Sequence, residues 1–95
     1  MDDEQRQVCG EIAEHYGQKK QEFQAVQELS ELICLLTRRP EQRTPTFTAQ
    51  LIDEIADSLI MIEQIRQIHF ISDYELSDRI DYKLARQQSR IKGET

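Results

Sequence analysis

The chain has 95 residues, 38% of them apolar and 32% charged, which is one domain's worth of helical protein and too apolar for general disorder. A net charge of −6 works against any general grip on nucleic acid, and no stretch of about 20 apolar residues offers a membrane span. Three glycines, two prolines and little strict alternation argue against a sheet, and Cys9 and Cys34 lack CxxC or metal-ligand spacing, so a reducing cytoplasm is the expected setting.

The first segment, Asp2 to Tyr16, opens with Asp2, Asp3 and Glu4, acids that suit the positive end of a helix dipole. Val8, Ile12 and Tyr16 recur at helical spacing, and Gly17 marks a break. His15 is read as a surface residue without a role. A second helix is expected from about Lys19 to Thr37, with an apolar stripe of Val26, Leu29, Leu32, Ile33 and Leu36. Pro40 and Pro45 end it and define a loop that carries Arg38, Arg39 and Arg43, read as a solvated connector in preference to a phosphate contact. Thr48 is the expected N-cap of a third helix that continues through Ile68. Its stripe is Leu51, Ile52, Ile55, Leu59 and Ile62. With Ile60, Met61, Ile65 and Ile68 its second half is apolar on both faces, more than one neighbour can cover, which predicts the middle of a bundle or a subunit interface.

Ser72 and Glu75 form a capping box that starts a fourth helix, with Leu76, Ile80, Leu84 and Ile91 as its buried stripe. Arg79, Lys83, Arg86 and Arg90 follow along one flank. That flank reads either as a solvated face paired with Glu75, Asp78 and Asp81 or as a source of cations for a phosphate. The sum is an all-α helical bundle forming a single domain over residues 1–91, with a frayed tail at 92–95. At this size a single core is only moderately stabilising, so homo-oligomerisation is expected to complete it.

Two acid pairs stand out. Glu28 and Glu31 on the second helix, and Glu54 and Asp57 on the third, are each three apart and edge their stripes in the same register. Leu29 matches Ile55, Ile33 matches Leu59 and Leu35 matches Met61. If the two helices pack antiparallel through their stripes, four carboxylates meet at the rim of the core. Four close anions repel strongly in a partly dry site, so a cation is expected there. Oxygen-only ligands favour Mg²⁺ or Mn²⁺, and Mg²⁺ is commonly held by a few carboxylates plus substrate phosphates. A di-iron bundle would want Glu-x-x-His, and neither His15 nor His69 stands three after a Glu. The same spacing also suits a non-catalytic helical dimerisation module whose acids keep its rim soluble.

ExxE at Glu28 and Glu31 within ELSELI, followed after 22 residues by ExxD at Glu54 and Asp57 within DEIADSLIMIEQI, resembles the MazG-like all-α nucleoside triphosphate pyrophosphohydrolases. The later YKLARQQSRI is similar to the basic C-terminal helix of small members of that family, and the likeness runs from about Tyr16 to Ile91. The resemblance implies a MazG-like bundle completed as a homodimer or homotetramer. It implies Mg²⁺-dependent hydrolysis of a (d)NTP to the monophosphate and pyrophosphate. Glu28, Glu31, Glu54 and Asp57 would then be the metal ligands and catalytic acids, and Lys83, Arg86 and Arg90 the phosphate contacts. One departure is Gln27, where the family usually has an acid beside the first motif. A superfamily relative acting on another pyrophosphate-containing metabolite is the alternative substrate assignment.

Overall fold

Asp2 caps the first helix by accepting from the Gln5 amide at 2.8 Å while its own amide donates to the Gln5 side chain at 2.9 Å, so two of the end's orphan groups are satisfied locally. The computed structural model describes residues 1–94 and contains four helices and no strand among them. These are α1 (Asp3–Tyr16), α2 (Gln18–Leu36), α3 (Phe47–Ile68) and α4 (Asp73–Glu94), with a single 3-10 turn at Pro40–Gln42. The all-α fold expected from the pattern is the fold the chain adopts. Gly17 separates α1 from α2 with φ 88°, a conformation that glycine reaches without Cβ strain. Thr46, not Thr48, occupies the N-cap position of α3: Phe47 already donates to Thr44 and Gln50 to Thr46, so the helix starts a residue before Thr48 and encloses it.

The C-terminus of α3 closes in a Schellman motif, with the Ile71 amide on the Arg66 carbonyl at 3.0 Å and the Phe70 amide on that of Gln67 at 3.1 Å. This puts Phe70 at φ 55°, in the left-handed region where glycine usually stands. The capping box at Ser72 and Glu75 then forms as expected, at 3.0 and 3.1 Å, and the Ser72 hydrogen bonds hold the Glu75 carboxyl below its usual range. α4 continues through Glu94. Thr95, the last of the residues expected to fray, lies outside the described ones.

α2 and α3 run antiparallel and form the main contact, and α1 packs against both, more extensively against α3. The faces that meet are not the apolar stripes. α1 turns Cys9 and Ala13 inward, α2 turns Gln21, Ala25 and Leu35, and α3 turns Ser58, Met61, Glu63 and Gln64. At Gly10 a Cβ would come within 2.5 Å of the Gln67 side-chain oxygen, so glycine there makes room for that side chain as it lies. Small residues let the backbones come together, and the Gln21–Gln64 hydrogen bond of 2.7 Å satisfies a polar pair inside the contact. Glu63 is nearly buried too, held through both oxygens by Arg66 and through one by Gln67, which also donates to the Arg6 carbonyl.

The stripes expected to be buried are therefore largely exposed in the single chain. Val8 on α1, Val26, Ile33 and Leu36 on α2, and Ile52, Ile55, Leu59 and Ile62 on α3 all face outward. So do Leu76, Ile80, Leu84 and Ile91, because α4 packs against no other helix among the described residues. It is tied to the rest by Arg6–Asp73 at 3.6 Å and by the Arg66 side chain on the Ile71 carbonyl. The physical reason is that periodicity identifies an apolar face without identifying the neighbour that covers it. Leu35 and Met61, placed by register on the acid flank, are the apolar residues that α2 and α3 bury. The result is an open molecule with a radius of gyration of 16.4 Å, where a compact chain of this length has about 12 Å.

Candidate metal centre on the α2–α3 face

Because α2 and α3 meet through the face that carries the acids, the carboxylates converge. Glu28 from α2 and Glu54 and Asp57 from α3 each offer an oxygen within 4.8 Å of the other two. Oxygens on opposite sides of one divalent ion lie about 4.2 Å apart for Mg²⁺ and somewhat more for Ca²⁺, so the three are spaced to share an ion with little movement. Gln24 donates to Glu28 at 2.9 Å and fixes that carboxylate one turn along its own helix. Glu31 lies close enough to Glu54 to act on its carboxyl.

The Glu54 carboxyl is pushed up from the usual range, first by desolvation, then by repulsion from Glu31, Asp57 and Glu28, and by the hydrogen bond with Glu31. Its Oε2 is sealed from solvent with no partner, although the group as a whole sits near the surface. Ser58, one turn further along the same face, is only 4% exposed, and its Oγ is likewise unpartnered. A cation among these carboxylates would offset their repulsion, and the unpartnered atoms leave room for that compensation. The all-oxygen donor set fits a hard divalent ion and not zinc.

The basic residues of α4 are placed differently. Lys83, Arg86 and Arg90 gather with Gln87 around a groove of about 180 Å³ on α4 itself. Within one chain that helix does not pack against α2 or α3, so the acids and this basic flank are not brought together. Arg79 lies over the Tyr82 ring at 4.7 Å. Arg38 and Gln50, by contrast, share with Glu31 and Glu54 the lining of a cavity of about 350 Å³. The sequence analysis singles out neither as part of a site, and Arg38 is exposed as a connector residue would be. The signal was in the register: Arg38 continues the line of Glu28, Glu31 and Leu35, and Gln50 precedes Glu54 by one turn.

Comparisons with models of known protein families, with curated proteins and with solved structures give no match. The likeness of the acidic motifs to the MazG-like enzymes is thus a likeness of pattern, and the arrangement of the carboxylates is the ground on which a function is argued.

Proposed function

We propose that the chain is a Mg²⁺-dependent nucleotide pyrophosphohydrolase, with Mn²⁺ as a substitute ion, that cleaves a (d)NTP with water to the monophosphate and pyrophosphate. The observation that carries this is the convergence of Glu28, Glu54 and Asp57 around a common point, with Glu31 against Glu54. These four carboxylates would hold the ion, which when bound neutralises polyphosphate charge and acidifies a water. Glu31 lies outside the set of three closest oxygens and beside Glu54, and it is the carboxylate to which this reading assigns orienting the attacking water and taking its proton. The protein's remaining contribution is positioning, because phosphoryl transfer depends chiefly on alignment and charge stabilisation. The setting is cytoplasmic, and neither nucleic acid nor a membrane is a partner in this scheme. No helix among the described residues is long and apolar enough to cross a membrane.

The active form is a homodimer or homotetramer. Its support is surface area: the chain exposes 7617 Å², whereas a compact monomer of 11.2 kDa exposes about 5,700 Å². The same excess favours the second reading, a helical association module without catalysis. Substituting Glu54→Gln and Asp57→Asn separates the two. The enzymatic reading expects each to abolish Mg²⁺-dependent pyrophosphate release from a panel of nucleoside triphosphates, and to remove the rise in melting temperature that Mg²⁺ gives over chelator. If both variants keep full Mg²⁺-dependent turnover, or if wild-type protein melts identically in Mg²⁺ and chelator, the association module stands instead.

A further inference from the structure

Three arginines lie between α2 and α3, and two of them are accounted for. Arg39 pairs with Glu41 at 3.3 Å. Arg43 lies over the Phe47 ring at 4.3 Å and donates to the Arg38 carbonyl at 3.1 Å. Arg38 has no carboxylate partner among the described residues, and its guanidinium reaches from the end of α2 to Gln50 on α3 at 3.3 Å. Both residues line the cavity of about 350 Å³ whose wall includes Glu31 and Glu54.

That cavity therefore combines two carboxylates of the acid cluster with a cation they do not neutralise. Arg38 stands past the end of α2, seven positions on from Glu31, and forms an ion pair with neither acid, so the charges share the cavity without being paired. A free anion would be repelled by the acids, and a free cation has no use for the arginine. A ligand that carries a divalent cation at one end and phosphate oxygens at the other satisfies both. Glu54 is in the cavity wall, and its sealed Oε2, like the buried Oγ of Ser58 one turn on, has no hydrogen-bond partner, so compensation is lacking at that end.

We propose that this cavity is the polyphosphate subsite, with the cation of a divalent metal–polyphosphate on the acid cluster at the Glu54 end and its terminal phosphate oxygens on Arg38, held in place by Gln50. The inference rests on the pyrophosphohydrolase reading and deepens it, because it assigns the phosphate contact to the α2–α3 connection instead of the basic flank of α4. Arg38 suits the task since its planar fork matches two phosphate oxygens at once. Gln50 is a positioning residue that steers the guanidinium across the cavity.

The test is calorimetric titration of the full chain, in Mg²⁺, with inorganic tripolyphosphate. Arg38→Gln should weaken binding at least about tenfold, the effect of losing a charge-assisted hydrogen bond. Gln50→Ala should weaken it less, and the triple variant Lys83→Gln, Arg86→Gln, Arg90→Gln should leave it within about twofold of wild type. Arg38→Gln should also raise KM for the nucleotide with little change in kcat, and should keep the Mg²⁺-induced rise in melting temperature, since the acids are untouched. Unchanged tripolyphosphate affinity in Arg38→Gln, with the Mg²⁺ response intact, overturns the subsite and leaves the metal centre standing. Loss of binding in the α4 triple variant alone overturns it as well. If the wild-type chain shows no Mg²⁺ response at all, subsite and metal centre fall together.

Discussion

Leu59 offers the most direct measure of whether a second copy covers the outward apolar face. The surface excess of about 1,900 Å² per chain, if covered in a two-fold pair, amounts to about 3,800 Å² in total, within the range of obligate homodimers and far above a lattice-type contact. Leu59 is 54% exposed and shares its stripe with Ile52, Ile55 and Ile62. Covering the exposed half of a leucine side chain contributes about 1 kcal/mol. In a symmetric pair the residue counts twice, so Leu59→Ala should weaken association by about 2 kcal/mol, or about 30-fold in Kd. Alanine keeps the helix propensity of leucine, so α3 itself should persist. Sedimentation equilibrium on wild type and variant checks both halves of the argument: the wild type should run at twice the chain mass at micromolar concentration, and the variant should dissociate at higher concentration. A wild type that sediments as a folded 11.2 kDa monomer refutes the reasoning, as does a variant that associates as tightly as wild type.

Glu63 sets an acid limit to stability. Burial pushes its carboxyl up, but the hydrogen bonds from Arg66 and Gln67 and the charges of Arg66 and Arg6 outweigh that, so it titrates below its usual range. Its contribution is complete above the unfolded value near about 4.3 and is lost as pH falls through the lower folded value. Glu54, raised in the fold, acts with the opposite sign, because its protonation relieves first desolvation and then repulsion, and the comparison is best made in an E54Q background. Melting temperature against pH should then fall steeply below about pH 4, and E63Q should flatten that limb while costing about 2 kcal/mol at neutral pH; an identical acid limb in E63Q contradicts the assignment. Phe70 is 93% exposed at φ 55°, so Phe70→Gly removes left-handed strain of about 1 kcal/mol and sacrifices almost no burial. For a domain of this size the melting temperature should rise by roughly 4–8 °C, and an unchanged or lower value would show that the Phe70 side chain contributes contacts the single chain does not reveal.

Helix ends were legible in the sequence because caps are local chemistry. Asp2, Gly17 and the Ser72–Glu75 box act through residues no more than three or four away, and each lies where its type suggests. Thr48 misled because a threonine before an apolar run is a good cap, but Phe47, under the guanidinium of Arg43, already opens the helix. The choice of packing face was not legible. A count of apolar residues favours Ile33 and Leu59, whereas the chain brings together Ala25, Ser58 and the Gln21–Gln64 pair, whose fit depends on close backbone approach and a hydrogen bond 43 residues apart in sequence. The acids converge because they share that small-residue face, not because they rim a contact between the stripes. Arg38 reads as a connector residue because it lies past the last helical residue, although the antiparallel pairing sets it in the same cavity wall as Glu31.

The two faces of the α2–α3 pair separate two demands that would conflict on one. Along α3, about 100° per residue places Glu54, Ser58 and Met61 toward α2, Asp57 at their edge, Ile62 and Ile55 roughly a quarter of a turn away, and Leu59 and Ile52 more than about a third. Along α2 the same count sets Glu28 and Glu31 apart from Val26 and Ile33, and in an antiparallel pair both apolar stripes then fall on one side. A second copy can therefore cover the stripes without drying the carboxylates. That matters because an ion that takes substrate phosphates must keep exchangeable water, and a cluster sealed in a dimer core would hold its acids protonated instead of ready for a cation. The polar lining of the α2–α3 contact, which costs burial that leucines would have supplied, keeps the acid edge wet and open to a charged ligand.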